Sequence, residues 1–410
     1  MNIFSQYKGL RKEQYVIFIS KLIDNLGSMI GPLLTIILSI KLDMNASEIA
    51  MYSLVITVLS LPISLFGGRL TDKVNKKLII NIGDITTSIL YITCGIIGLN
   101  RTTLILYIIG SLIQTAESSA YESLVADFCT SDDREKAYSL NYLGANLGLM
   151  LAPTIGGLLI TNHLNLMFIL TGTSQLLSII IFDIYIKDTR PIIDTSNKYE
   201  KKLEEGNVFD ILKQNKVLIA FMIIFAVSIT TYCMWGYLLP LSLTKVQGEA
   251  GSIYYGTMSS LNCIVVVLCT APITSLITKT TSINRMIIGN IFEVLGLTLF
   301  FIFIKTPVLY YFAIIIFTFG EIVNTITTSP HLSKRIPVNY RGRISSMLYV
   351  IENVFISIGE IIIGKVFDNV GLNSAWIIVI VVGILSIIAY QLTKRSDEKS
   401  FPDLYKERGI

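Results

Sequence analysis

The side chains of this 410-residue chain that could do chemistry are acids lodged in otherwise apolar stretches. Glu117, Glu321 and Glu352 each stand near the middle of such a stretch, and Asp24 follows Lys21 by three residues, on one face of a helix. A charge held at the centre of a bilayer costs several kcal/mol, so it needs a partner, a proton or a hydrated cavity. Burial favours the protonated carboxyl and a neighbouring cation favours the ionised one. A site that holds either a proton or a cation, and not both, couples the movements of the two. Lys21 and Asp24 read equally well as a neutral ion pair and as part of such a site.

Aromatic residues add stacking and cation–π surface to a site of this kind. Tyr232 and Trp235, with Tyr237 close by, could form its walls; the same residues could equally be packing or lipid-facing aromatics. Other chemistries lack their residues. The two histidines, His163 and His331, lie far apart, and Cys94, Cys129, Cys233, Cys263 and Cys269 show no paired metal-site or disulfide spacing. There is no phosphate-cradling glycine–lysine loop. No metal, cofactor or enzymatic activity is expected.

The elements that must position these acids follow from composition. Hydrophobic residues make up 52% and charged residues 15%, against roughly 25% charged in soluble domains. With a mean hydropathy of +0.64, this excludes a soluble globular protein, a disordered chain and a nucleic-acid binder, and calls for a surface that faces lipid. The net charge of +4 decides little. A helix crossing a bilayer needs about 20 mostly apolar residues. Twelve such runs are present, at about 15–40, 47–68, 77–98, 103–126, 136–160 and 165–186, then 216–243, 252–277, 285–304, 308–331, 343–366 and 373–393. The first run is too long for the core of a cleavable signal peptide and reads as a retained helix. The polar segment 188–215 reads as a linker, which divides the chain into a bundle over 1–187 and a second over 216–410 with a short tail.

Lys and Arg set the orientation. With the N-terminus inside, the cytoplasmic segments hold 27 of them and the outer loops five: Lys41, Arg101, Lys245, Lys305 and Lys365. Both termini are then cytoplasmic. The two bundles also repeat each other. A shift of 207 residues lays Arg134 on Arg341, Ser139 on Ser346, Tyr142 on Tyr349 and Asn146 on Asn353; a shift of 209 lays Asn75 on Asn284 and Asp84 on Glu293. Matches at polar positions are not what apolar segments give by chance, and internal repeats mark secondary transporters.

Two motifs sharpen this reading. After the second run comes Gly68-Arg-Leu-Thr-Asp72-Lys73-Val-Asn75-Lys76-Lys77, which resembles the loop signature G-x-x-x-D-R-x-G-R-K of the major facilitator superfamily, with lysines for two arginines and Asn75 for a glycine. The fifth run carries Ser139, Gly148, Ala152, Pro153, Gly156 and Gly157, similar to the helix-5 motif of the drug:proton antiporters of that superfamily. Small residues at this spacing let helix backbones approach closely, and the proline bends the helix. A solvated basic loop and generic small-residue packing are the plainer readings of the two.

The resemblance implies an all-α membrane protein of 12 transmembrane helices in two pseudo-symmetric six-helix bundles. It implies an inner gate built on Gly68, Asp72, Lys73, Lys76 and Lys77 with Arg134 and Arg341, one-sided because Thr281 stands at the equivalent place of the second half. It implies that helix 5 packs on helix 2 or 8, that runs 1, 4, 7 and 10 line a cavity, and that Asp84 and Glu293 sit on peripheral helices and pair with loop cations. The segment around Glu321 resembles one in multidrug members, where the acid binds cationic drugs or protons. The expected protein is therefore a proton-coupled exporter of lipophilic or cationic small molecules, a monomer in the cell membrane. Its partners are a small-molecule substrate, protons and the lipid bilayer, with no cofactor and no nucleic acid. The alternative is a transporter of one specific metabolite, peptide or lipid-like compound with the same fold.

Overall fold

The computed structural model describes residues 7–129, 134–187, 215–277, 280–333, 335–336 and 341–406. Its regular structure is entirely helical: α1 (Lys12–Gly27), α2 (Ile30–Leu42), α3 (Ala46–Lys73), α4 (Lys76–Ile97), α5 (Arg101–Asp127), α6 (Arg134–Leu149), α7 (Ala152–Leu159), α8 (Leu164–Tyr185), α9 (Lys216–Gln247), α10 (Ala250–Ile277), α11 (Ser282–Ile302), α12 (Pro307–Ser333), α13 (Arg341–Asn369), α14 (Leu372–Ser400) and the short α15 (Asp403–Lys406). The twelve apolar runs all become helix. Two of them break. The first divides into α1 and α2 after Gly27, whose carbonyl accepts from Thr171 Oγ1 (2.6 Å) and from Met29 N (2.7 Å). The fifth divides into α6 and α7 just before Pro153, whose missing N–H and ring cannot continue a helix.

Eleven of these segments are long and apolar enough to cross a bilayer. The twelfth, α5, has 27 residues, about 40 Å at 1.5 Å per residue. It falls short in apolarity because Gln114, Thr115, Glu117, Ser118, Ser119, Glu122 and Ser123 crowd its second half. A helix that polar has to face protein or water, not acyl chains. Elsewhere the outward faces are apolar: Ile82, Ile89 and Ile96 recur every seven residues along α4, and Val381, Leu385, Ile388 and Leu392 stand exposed on α14.

The chain forms two compact units. Unit 1 comprises Met1–Leu42, Tyr52–Lys198 and Glu249–Val267; unit 2 comprises Asp43–Met51, Tyr199–Gly248 and Leu268–Ile410. Each unit thus takes in a short piece of the other sequence half. In unit 1, Thr154 Oγ1 donates to Ser260 Oγ (2.7 Å) and Ser252 Oγ to the Gly157 carbonyl (3.2 Å). In unit 2, the first turn of α3 is capped by Asp368 of α13, which accepts from Ala46 N (3.0 Å), Ser47 N (2.8 Å) and Ser47 Oγ (2.6 Å). Unit 1 has a core of Ile17, Ile80, Leu124, Phe128 and Phe182; unit 2 has one of Phe221, Met222, Met286, Ile344 and Tyr390.

Candidate functional site

Three helices of unit 2 turn matching faces towards one cavity of about 420 Å³. α9 contributes Phe225, Ser228, Ile229 and Tyr232, and α13 contributes Ser345, Leu348, Tyr349 and Glu352. Each set follows the i, i+3, i+4, i+7 spacing of a single helical face. α12 adds Glu321, Asn324, Thr325 and Thr328 on the same spacing, and α11 adds Glu293. Tyr232 donates its hydroxyl to Glu321 Oε1 (3.1 Å), which fixes that carboxyl at the wall. Among the described residues, three glutamates line the cavity and no lysine or arginine does. A space lined by three acids, hydroxyls and aromatic faces suits a cation with an apolar body.

Of the residues expected to bind, Glu321, Glu352 and Tyr232 come together here. Trp235 does not line the cavity. It belongs to an aromatic wall, with ring centroids 6.4 Å from Phe300 and 5.8 Å from Phe317, while Tyr232 stacks on Phe317 at 5.4 Å. Glu293 was expected to pair with loop cations on a peripheral helix. It is instead 4% exposed, hydrogen-bonded to Asn324 and on the cavity wall. Its helix can lie this close because Gly320 of α12 has no side chain: a Cβ there would stand 2.6 Å from Glu293 N and 2.8 Å from its Cγ.

Asp24 and Glu117 lie in unit 1, in a second set of acids. Asp84 of α4 is 4% exposed and Glu117 of α5 is 6% exposed. Among the described residues Asp84 pairs with no loop cation: Tyr121 donates to its Oδ2 (3.0 Å) and Gln175 Nε2 to its Oδ1 (2.9 Å). Lys21 and Asp24 form no ion pair within 4.0 Å among the described residues; the Lys21 ammonium sits over the Tyr121 ring, 4.4 Å from its centroid. The ring face offers the ammonium its negative quadrupole, and the tyrosine hydroxyl passes on to Asp84.

The basic loop is partly described. Asn75 caps α4 by accepting from Lys77 N (2.9 Å). Lys76 pairs with Asp127 at the end of α5, and Lys77 with Asp183 of α8 (2.8 Å), so two of the loop cations tie the ends of α4, α5 and α8 together within unit 1. Lys73 is exposed. The side chains of Gly68, Asp72, Arg134 and Arg341, expected at the inner gate, lie outside the described residues. The helix-5 glycines do mediate close approaches. A Cβ on Gly148 would stand 2.5 Å from the Leu22 carbonyl, one on Gly156 2.6 Å from Leu33 Cδ1, and one on Gly157 2.6 Å from the Ser252 carbonyl. Pro153 meets α10 at Gly256. Of the two expected partners, runs 2 and 8, these contacts are with run 8, which is α10; α1, α2 and Met29 between them, to which the motif did not point, are the other neighbours.

Sequence reasoning passed over a buried ion pair. Arg335, just past α12, grips Asp397 of α14 through both nitrogen–oxygen contacts (2.8 and 2.5 Å), with both side chains about 3% exposed or less. Tyr405 donates to the same carboxylate (2.5 Å); burial first and this bond second push its phenol above the ordinary range. The apolar run ended near residue 393, so nothing in hydropathy signalled that α14 continues to Ser400 and carries Asp397 inward. Asn324, Thr325 and Thr328 did carry a signal, since they continue the face of Glu321 at helical spacing.

Comparison with known proteins gives a consistent picture. Residues 17–360 match the family model for the Major Facilitator Superfamily. An uncharacterized MFS-type transporter of Escherichia coli, YdeE, is 24% identical over 328 residues, covering 77% of this chain and 79% of the relative. The quinolone resistance protein NorA of Staphylococcus aureus is 29% identical over 196 residues, 47% of this chain and 49% of its own. Among solved structures, the nucleoside transporter NupG aligns with a TM-score of 0.69 at 16% identity, over 93% of this chain and 99% of that one. The peptide transporter POT in complex with sulfate aligns with a TM-score of 0.74 at 14% identity, over 94% and 95%. At those identities the likeness is one of fold.

Proposed function

Because the chain belongs to the Major Facilitator Superfamily and is a membrane transporter, not an enzyme, we propose that it exports lipophilic cations in exchange for protons by alternating access. The observation that carries this reading is the cavity of unit 2, with Glu293, Glu321 and Glu352 on its walls and no basic side chain among the described residues that line it. A cation entering it displaces protons from carboxyls that cannot all stay ionised at close quarters. Tyr232, bonded to Glu321, presents a ring for the apolar body of the same ligand. The resemblance to NorA over half of each chain supports efflux as the direction. In this reading the bundles over 1–187 and 216–410 rock against each other. Asp72 with its basic neighbours closes the inner side, both termini are cytoplasmic, and the protein works as a monomer in the cell membrane.

The test is flux. Proteoliposomes with an acidic lumen should accumulate ethidium when the protein is present and release it when the gradient is collapsed. Glu321→Gln should abolish that accumulation. Gradient-independent dye movement, or equal accumulation by Glu321→Gln, would overturn the assignment. Saturable uptake of a single metabolite, peptide or nucleoside with no ethidium transport would favour the specific-substrate alternative.

A further inference from the structure

The buried acids of unit 1 are not explained by the cation cavity, and their arrangement is specific. Glu117 and Tyr121 stand one turn apart on one face of α5: Tyr121 donates to Asp84, and the Glu117 carboxyl lies against Gly83 beside it. Gly83, next to Asp84, opens the space for it: a Cβ at Gly83 would collide with Glu117 Oε2. Asp84 already accepts one hydrogen bond on each oxygen, from Tyr121 and Gln175. Glu117 Oε2 is buried and receives none among the described residues. Two ionised carboxyls facing each other without a donor between them repel strongly, and an unpaired buried charge costs far more than a paired one. The groups facing the pair are Lys21 and Asp24 from α1, Tyr91 from α4 and Tyr121 from α5. Lys21 supplies one positive charge against three carboxyls, and it is drawn to the Tyr121 ring without an ion pair to either acid.

We infer that Asp84 and Glu117 form a carboxyl–carboxylate pair that binds one proton, carried on Glu117 Oε2 and donated to Asp84. The two donors on Asp84 make it the better anion, so the proton belongs to Glu117. This satisfies the orphaned oxygen, and loss of the proton leaves two adjacent anions. The ligand of the site is therefore a single proton, and opening the site to water releases it. The pair stands on the geometry alone; its use as the exchanged proton rests on the export reading above.

Infrared difference spectroscopy of the full-length protein in nanodiscs, recorded across a pH change, tests the pair through the carbonyl stretch of protonated carboxyls. Asp84→Asn and Glu117→Gln should each remove the same single band, and the double variant should remove no more. In Asp84→Asn the amide donates to Glu117, which ionises; in Glu117→Gln the amide donates to Asp84, which stays ionised. In protein otherwise wild type, labelling glutamate with carbon-13 should shift the band that these variants remove, and labelling aspartate should leave it in place. Two separate bands lost additively, a band that follows the aspartate label, or no band sensitive to either variant would overturn the inference. Ethidium flux is read separately. A shared band without gradient-driven flux would leave the proton site standing and sink the export reading, and the reverse result would do the opposite.

Discussion

The two units place acids at related positions and enclose them differently. In unit 1, Glu117 of α5 lies against Gly83, next to Asp84 on α4, and both acids are nearly sealed from solvent. In unit 2, the repeat counterpart of Asp84 is Glu293, and it shares a cavity of about 420 Å³ with Glu321 and Glu352. Glycine sits on opposite sides of the two contacts. Gly83 of α4 makes room for a side chain from α5, whereas Gly320 of α12 makes room for the backbone and side chain of α11. Removing a side chain next to a carboxyl tip creates a socket for one group. Removing it next to a backbone draws two helices together and leaves the longer acids to project elsewhere. Similar patterns of small and acidic residues therefore yield a sealed set of acids in one unit and an open cavity in the other.

The units also differ in how their ion pairs are held, and this gives the largest expected effect. Arg335–Asp397 is buried, and removing one partner of such a pair strands the other charge. Asp397→Ala should destabilise unit 2 by about 3–5 kcal/mol, read as loss of monodisperse protein on a temperature ramp in detergent. A shift no larger than that of a surface variant would show that water reaches the pair. Next comes the cavity. Glu321→Gln should weaken binding of tetraphenylphosphonium by roughly 10- to 100-fold, measured by equilibrium dialysis, since a hydrogen-bonded charge contributes about 1.5–3 kcal/mol. Unchanged affinity would mean that the acids of unit 2 do not serve the cation, and the contrast between the units would fail.

The glycines give the third effect. Gly320→Ala meets backbone that cannot yield and should cost about 1–3 kcal/mol of stability. Gly83→Ala first meets the far end of Glu117 and should cost less, while displacing that carboxyl from Asp84. Thermal unfolding of the two variants in parallel checks the order, and the reverse order would contradict the contrast drawn from their neighbours. The smallest effect belongs to the half-exposed pair of unit 1. Asp183 is 54% exposed opposite Lys77, so Asp183→Asn should change stability by no more than about 1 kcal/mol. A larger loss would show that the loop cations carry more of unit 1 than their exposure allows.

Much of this was legible in the residues. Composition and the length of the apolar runs determined a helical membrane protein, because a bilayer tolerates spanning backbone only when its polar groups are satisfied internally. The acids stood out for the same reason: Glu321, Glu352 and Glu117 are costly where they are, and each occupies a site that the structure makes distinctive. Tyr232 was identifiable as a wall of that site, while Trp235, three residues on and most of a turn around α9, packs into the aromatic layer instead.

Tertiary structure alone decided which acids meet. Asp84 and Glu117 are 33 positions apart, and nothing in hydropathy tells whether their helices turn these faces together; Gly83 settles it by leaving the space. Glu293 joins the cavity because Gly320 brings α11 against α12, and Asp397 reaches Arg335 because α14 continues as helix beyond its apolar run and packs on protein there. A sequence fixes what each helix must bury through the cost of polar groups in lipid. Which neighbour receives a buried group depends on shape at single side chains, and shape exists only once the helices are packed.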